Sequence, residues 1–366
     1  MKKTLLSLAL LLAATLAIDR LGARLMDRAQ QHSNDLFAPK LRALARTARP
    51  DILMLGTSRC LRHYVPHIIA DSTALSTYNG GLDACRNIYA HYLALHLMLS
   101  HHTPRVVCLD VSEMDFIPEA GATQIVTFFA PYFGQSPQAD SLYRQLNLYW
   151  PYRLSHLYRH NAHAITTLSG LRRAQSIIQP DGYVSNDDLS RHPHTLTQEA
   201  TIPHVDPHKI RLLQRFIADC HSRGITLVMT ISPAYSHVSP DYYAPLHRLA
   251  RQHHVPLLDY HTPGLYADRP DLFYDNIHLN APGAQAFTRL FAHDLKKILE
   301  ERPETNRPAI SGVSPHSTRI KSFCATNHGI NRLHNGMAAQ HNSTVIKATN
   351  HGTEASKRPS TTLTGR

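Results

Sequence analysis

Asp51-Ile52-Leu53-Met54-Leu55-Gly56-Thr57-Ser58-Arg59 is the stretch on which the fold turns. Four consecutive apolar residues read as a strand buried on both faces, and the glycine after them as the tight turn leaving its carboxyl end. Ser58 then sits where open α/β sheets place their chemistry. Outward from this stretch, Leu75 to Tyr78 and Arg105 to Asp110 read as a second and third strand, and Ile225 to Ile231 and Val255 to Asp259 as a fourth and fifth. Asn87 to Ser100, Lys209 to Ser222, Tyr243 to Gln252 and Ala284 to Leu299 carry apolar residues at helical spacing, with Gly224 a stop before the fourth strand. Strands alternating with helices imply βαβ units. The expectation is an α/β fold of about five parallel strands covered on both faces.

The interval of about 117–207 breaks this rhythm and reads as an insertion between the third and fourth strands, over the carboxyl edge of the sheet or its flank. It carries Tyr132, Tyr143, Tyr149, Tyr152, Tyr158 and the sole tryptophan, Trp150. These aromatics read either as a lid or polymer-binding wall, or as packing of the insertion on itself.

The chain has 366 residues, 43% of them hydrophobic, enough for a substantial core. Met1-Lys2-Lys3 precedes a nearly uncharged run from Thr4 to Ile18, closed by Asp19-Arg20. Two lysines before such a run mark an export signal, and Thr15-Leu16-Ala17 offers a small-residue cleavage site. Residues 1–25 are therefore expected to be a signal peptide or an N-terminal signal anchor, the latter attaching the protein to a membrane. The folded domain is expected over 26–301. Residues 302–366 hold nine Lys or Arg against two Asp or Glu, most of the net charge of +11, and lack a sustained apolar period, so they read as a disordered basic tail. With the charge gathered there, the core has no basic stripe and nucleic acid is not an expected partner. Five cysteines lack metal spacing or a C-x-x-C pair, so neither a metal nor a cofactor is expected. Cys60 with Cys85 is the one pair considered for a disulfide, against buried free thiols.

A serine hydroxyl attacks an ester only when a base removes its proton, and the base needs a third group to orient it. Asp275-Asn276-Ile277-His278 holds an acid and an imidazole three residues apart, just before Leu279-Asn280-Ala281-Pro282-Gly283-Ala284 and the last helix. Ser58 reads as nucleophile, His278 as base and Asp275 as orienting acid, with one long-range contact required. An oxyanion needs donors aimed at the developing charge. The backbone N–H of Ser58 is the first, and the loop Asn79-Gly80-Gly81-Leu82-Asp83-Ala84 is placed to add a second. The bland alternative is that Ser58 only caps the following helix.

Gly56-Thr57-Ser58-Arg59, Asn79-Gly80-Gly81 and Asp275-Asn276-Ile277-His278 fall in the order of blocks I, II and V of the SGNH (GDSL-like) hydrolase superfamily. Over roughly Asp51 to Leu299 the chain resembles its exported, envelope-associated branch. That resemblance implies a flavodoxin-like three-layer sheet and the catalytic roles of Ser58, His278 and Asp275. It implies an exported, periplasmic or cell-envelope serine esterase or O-acyl transferase acting on an acylated glycan or a small ester. Two positions depart from the family pattern. Ala84 stands where the second block usually has glycine, and Ser112 where the third usually has asparagine. Candidate oxyanion donors are thus Ser58, Gly81, Ala84, Asn79 and Ser112, with Arg59 a candidate for substrate binding. The departures also motivate an alternative, an accessory envelope protein that binds glycan without catalysis.

Overall fold

The computed structural model describes residues 1–118, 122–187, 197–199 and 204–301. The expected tail at 302–366, and Cys324 within it, lie outside the described residues. Seven strands follow in chain order: β1 (Ile52–Leu55), β2 (Thr77–Asn79), β3 (Val106–Asp110), β4 (Thr197–Glu199), β5 (Thr226–Ile231), β6 (Ser236–Val238) and β7 (Leu257–Asp259). Five form one parallel sheet in the order β2-β1-β3-β5-β7, while β4 pairs with β6 in a separate two-stranded sheet. This is the doubly wound, flavodoxin-like order, whose direction of winding reverses at β1 and β3. The expected α/β architecture and the insertion between the third and fourth strands of the sheet are both present.

The register explains why β1 is uniformly apolar. Leu53 pairs with Tyr78 on one side and Val107 on the other, so β1 is interior to the sheet. Alternate residues then face opposite layers. Leu53 and Leu55 join a core with Leu93, Val107, Phe216, Leu227 and Leu246, beneath the helices Ile88–Leu99, Pro207–His221 and Ala244–Gln252. Ile52 and Met54 join the opposite core with Ile69, Cys108, Phe287 and Phe291, beneath Pro66–Thr73 and Ala281–Glu301. The same division separates Cys60 from Cys85. Cys60 belongs to the second core and Cys85 to the first, and both thiols are buried and free, so the disulfide is absent.

Local signals set the helix ends. Asp206 caps Pro207–His221 by accepting the N–H of His208 at 2.8 Å, with Pro207 at the first turn, and Gly224 at φ 67° turns the chain toward β5. Asn280 accepts the N–H of Gly283 at 2.9 Å as the last helix begins, and its own Nδ2 donates to the Asp271 carbonyl at 2.7 Å. A Cβ on Gly283 would lie 2.0 Å from the Leu272 carbonyl oxygen, so this helix start admits only glycine.

Most aromatics of the insertion pack on one another beside the first core. Phe133, Tyr143 and Tyr152 are buried with ring centroids 5.4 to 6.0 Å apart. Trp150 is exposed. The N-terminal helix runs unbroken over Lys2–His32 and is long and apolar enough to cross a membrane. Residues 1–18 are exposed, whereas Ala23 and Gln30 are buried against the domain. One helix therefore has a free half and a packed half.

Candidate active site

The turn after β1 is shaped by Gly56, whose φ is 155° and whose Cβ would approach Cys60 Cβ to 2.6 Å and the Asp110 carbonyl oxygen to 2.8 Å. No side chain fits there. Thr57, not Ser58, caps the Ser58–His63 helix, accepting the Arg59 N–H on its hydroxyl at 3.2 Å. With capping done by its neighbour, the Ser58 hydroxyl is free to face the carboxyl edge of the sheet.

There it meets His278. Ser58 Oγ lies 2.8 Å from His278 Nε2, across 220 residues of sequence. On the other side of the ring, His278 Nδ1 lies 2.8 Å from Asp275 Oδ2 and 3.1 Å from Oδ1. A carboxylate can only accept, so Nδ1–H donates to Asp275 and Nε2 keeps a lone pair toward the serine. The acid is held by its own loop: Asp275 Oδ1 accepts the N–H groups of Ile277 and His278, each at 2.8 Å, and Tyr274 N–H donates to the His278 carbonyl at 2.8 Å. Partial burial pushes the Asp275 carboxyl up, but the bond and charge of the His278 ring and these N–H donors outweigh it and hold it below the ordinary value. Asp275 is therefore ionised at neutral pH. Ser58 is 7% exposed and the Asp275 side chain 43%, so the hydroxyl lies inside and the acid at the rim.

The candidate oxyanion residues are arranged differently. Ser58 N–H, at the first turn of its helix, has no carbonyl four residues behind it within the helix. Ala84 N–H donates to its neighbour's carboxylate, Asp83 Oδ1, at 3.0 Å, and Ala84 is exposed at φ 56°. A left-handed backbone of this kind is one that glycine adopts without strain. Gly81 N–H donates to Asn79 Oδ1 at 2.9 Å. Asn79 itself is fully buried, its Nδ2 donating to the carbonyls of Cys60 and Tyr64 at 2.8 and 2.9 Å. Ser112 donates both its backbone N–H and its hydroxyl to Asp115 Oδ2, at 2.7 and 3.0 Å. Asn79, Gly81 and Ser112 thus bond to the scaffold. Arg59 also departs from its expected place: it is buried, with Nη2 donating to the Val111 carbonyl at 3.1 Å and Nη1 to Ser232 at 3.4 Å. It ties the Ser58–His63 helix to the ends of β3 and β5.

Three residues of this edge escape sequence reasoning. His63 lies fully buried beneath His278, edge-on to its ring at 6.4 Å, and its Nε2 accepts the Leu279 N–H at 3.0 Å. Burial, then the charges of His278, Arg59 and Arg62, keep it well below the usual histidine pKa, so it is a neutral support for the His278 loop. Arg62 donates to Asn186 Oδ1 at 2.7 Å and Asp83 Oδ2 at 3.1 Å, while Asn186 Nδ2 donates to the Leu279 carbonyl at 3.1 Å. The end of the insertion is thereby latched across the serine helix and the histidine loop. Among 27 histidines, nothing in sequence singled out His63.

No protein-family model matches the chain, and no curated protein matches it in sequence. Among solved structures, a two-domain esterase (CEX) active on acetylated mannans is similar at a TM-score of 0.33 and 11% identity, over 82% of this chain and 58% of that one. The chain thus spans less than two thirds of that esterase's length, and so slight a likeness carries no weight for its chemistry.

Proposed function

We propose that the chain is an exported serine esterase or O-acyl (acetyl) transferase of the SGNH type, acting on an acylated cell-envelope or extracellular glycan. The observation that carries this reading is the continuous line from Asp275 through both ring nitrogens of His278 to Ser58 Oγ, with a 2.8 Å separation on each side of the ring. Such an arrangement lets the imidazole accept the serine proton while the carboxylate stabilises the resulting cation.

In the first half-reaction Ser58 Oγ bonds to the acyl carbonyl carbon as its proton passes to His278 Nε2. The carbonyl oxygen takes the electron pair and becomes an oxyanion beside the Ser58 N–H. Collapse breaks the bond to the sugar oxygen, which takes the proton from Nε2 and leaves as an alcohol. In the second half-reaction water, or a hydroxyl of an acceptor sugar, loses its proton to Nε2 and bonds to the acyl carbon; collapse breaks the bond to Ser58 Oγ, which takes the proton back from Nε2, and the acid or new ester leaves. Esterase and transferase differ only in that acceptor. Ala84 N–H is the second oxyanion donor in this reading, exchanging Asp83 for the substrate oxygen. Domain 26–301 carries the chemistry, and Lys2 and Lys3 ahead of the apolar helix keep the amino terminus cytoplasmic and the domain outside, with the helix a retained anchor.

The test is acetate release from p-nitrophenyl acetate and from acetylated xylan or peptidoglycan fragments, with fluorophosphonate labelling in parallel. Wild type is expected to turn over and to label at Ser58. Release by Ser58→Ala undiminished from wild type would eliminate Ser58 as nucleophile. The engagement of Asn79 and Ser112 by the scaffold favours one competitor, an accessory protein that binds glycan without turnover. It predicts no labelling, and glycan binding that survives Ser58→Ala.

A further inference from the structure

Residues 2–18 of the first helix are exposed over about 26 Å of length, a few ångströms short of the ~30 Å hydrocarbon thickness of a bilayer. Packing against the domain starts at the next residue. The Asp19 carboxylate accepts bonds from the Ser155 hydroxyl and from the N–H groups of His156 and Leu157, the latter two at 2.9 and 3.1 Å. Arg20 Nη1 donates to the Leu154 carbonyl at 3.4 Å, and the Leu157 side chain lies against the helix at Gly22. The point where the apolar helix leaves the domain is thus bonded to residues 154–157 of the insertion. If the helix crosses a membrane, the lipid surface begins there.

The surface beside that exit is apolar. Trp150 and Leu154 are one turn apart on the Tyr149–Leu154 helix, hence on one face, and are 66% and 67% exposed. Tyr158, in the next turn of chain, is 46% exposed. The other large aromatics nearby, Tyr143 and Tyr152, are buried, so this pair is not overflow from a full core. Arg153 and Arg24 are exposed on the same stretches of chain. Tryptophan and tyrosine favour the headgroup layer, where an apolar ring and a polar edge are both accommodated, and arginine there meets lipid phosphate.

We infer that the face carrying Trp150 and Leu154 lies in the headgroup layer of the bilayer crossed by the N-terminal helix, so that the domain is held to the membrane at two places. This rests on the helix being a retained anchor, and it makes the aromatic insertion a membrane collar, not a glycan wall. The domain, packed on the unbroken helix from Asp19 onward, tilts with that helix. A second attachment at its root fixes which way the Ser58 edge faces.

The experiment uses the sole tryptophan as its own reporter. The full chain is reconstituted into vesicles of phosphatidylcholine and phosphatidylglycerol bearing bromines near either the carbonyl or the methyl end of the acyl chains. Trp150 fluorescence is expected to be quenched roughly twofold more by the shallow bromines than by the deep ones. Leu154→Asp, at an exposed position, is expected to weaken that quenching while the protein still sediments with vesicles after alkaline wash. Vesicle-bound protein whose Trp150 is unquenched by either lipid overturns the collar and leaves the anchor standing. Protein that washes off overturns both. Quenching by added acetylated glycan and not by brominated lipid overturns the collar in favour of a polymer-binding wall.

Discussion

Two loops meet at the carboxyl edge of the sheet, and they use their polar groups in opposite ways. In the Asp275–His278 loop the carboxylate bonds to the imidazole, and the chain of bonds ends on Ser58 Oγ. At Asn79 and Gly81, and at Ser112 beyond β3, the polar atoms bond to buried backbone, to one another and to Asp115. The first directs its bonds to the Ser58 hydroxyl; Asn79, Gly81 and Ser112 direct theirs to the scaffold. A side chain of the right type at the right edge is therefore not enough to make a donor; its bonding partner decides.

The sharpest way to break this contrast is at the first loop. Ser58→Ala and His278→Ala are each expected to lower kcat on the order of 10⁶-fold, and the double variant to fall no further, because the residues act as one unit. Additive losses in acetate release would show two independent functions. Asp275→Asn keeps the geometry but loses the charge that selects the ring tautomer, and should cost about 10⁴-fold in kcat.

At the second loop the expected signature is stability, not rate. Asn79→Ala strands the Cys60 and Tyr64 carbonyls and the Gly81 N–H, and is expected to destabilise by about 3 kcal/mol in urea unfolding while kcat of the folded protein changes only a few-fold. A loss of about 100-fold in kcat at unchanged stability would make Asn79 an oxyanion donor and erase the contrast.

A fourth prediction concerns the histidines in the two supporting layers. Burial lowers His96 and His163 to about 4 and His63 well below the usual histidine value. Below pH ~6.5 the unfolded chain binds protons that the folded chain refuses, so stability is full above that pH and falls as the pH drops toward 4, by up to about 1.4 kcal/mol per unit for each such histidine. Urea midpoints measured over this window should fall with pH, and His163→Phe should flatten the slope; a flat wild-type profile would refute the burial argument. The smallest effect is at Ala84, where glycine should relieve the left-handed backbone and add about 1 kcal/mol of stability, read as a raised Tm.

Much of the fold was legible in sequence because its signals are local. Four apolar residues before Gly56, the alternation of strands with helical periods, Gly224 as a stop, and the Asn280 and Gly283 helix start each follow from chain geometry within a few residues. β2 lies at Thr77–Asn79, later than the Leu75 to Tyr78 expected, because Ala74 at φ 56° first ends the preceding helix. Ser58, His278 and Asp275, which the structure brings together, were also picked out, since D-x-x-H is a local cassette. Its 2.8 Å contact with Ser58 was not readable, being made across 220 residues.

The sequence by itself determined which segments are strands and helices, where the sheet's carboxyl edge lies, and which residue types reach it. Those follow from steric limits on the backbone and from apolar periodicity, both properties of neighbouring residues. Only the tertiary structure decided that Asn79, Ser112 and Arg59 are bonded inward, that Cys60 and Cys85 face opposite layers, that His63 supports His278, and that the first helix is half packed and half free. Each of these depends on which partner a polar or apolar group finds across the fold, and a buried group takes the partner that satisfies it, however distant in the chain.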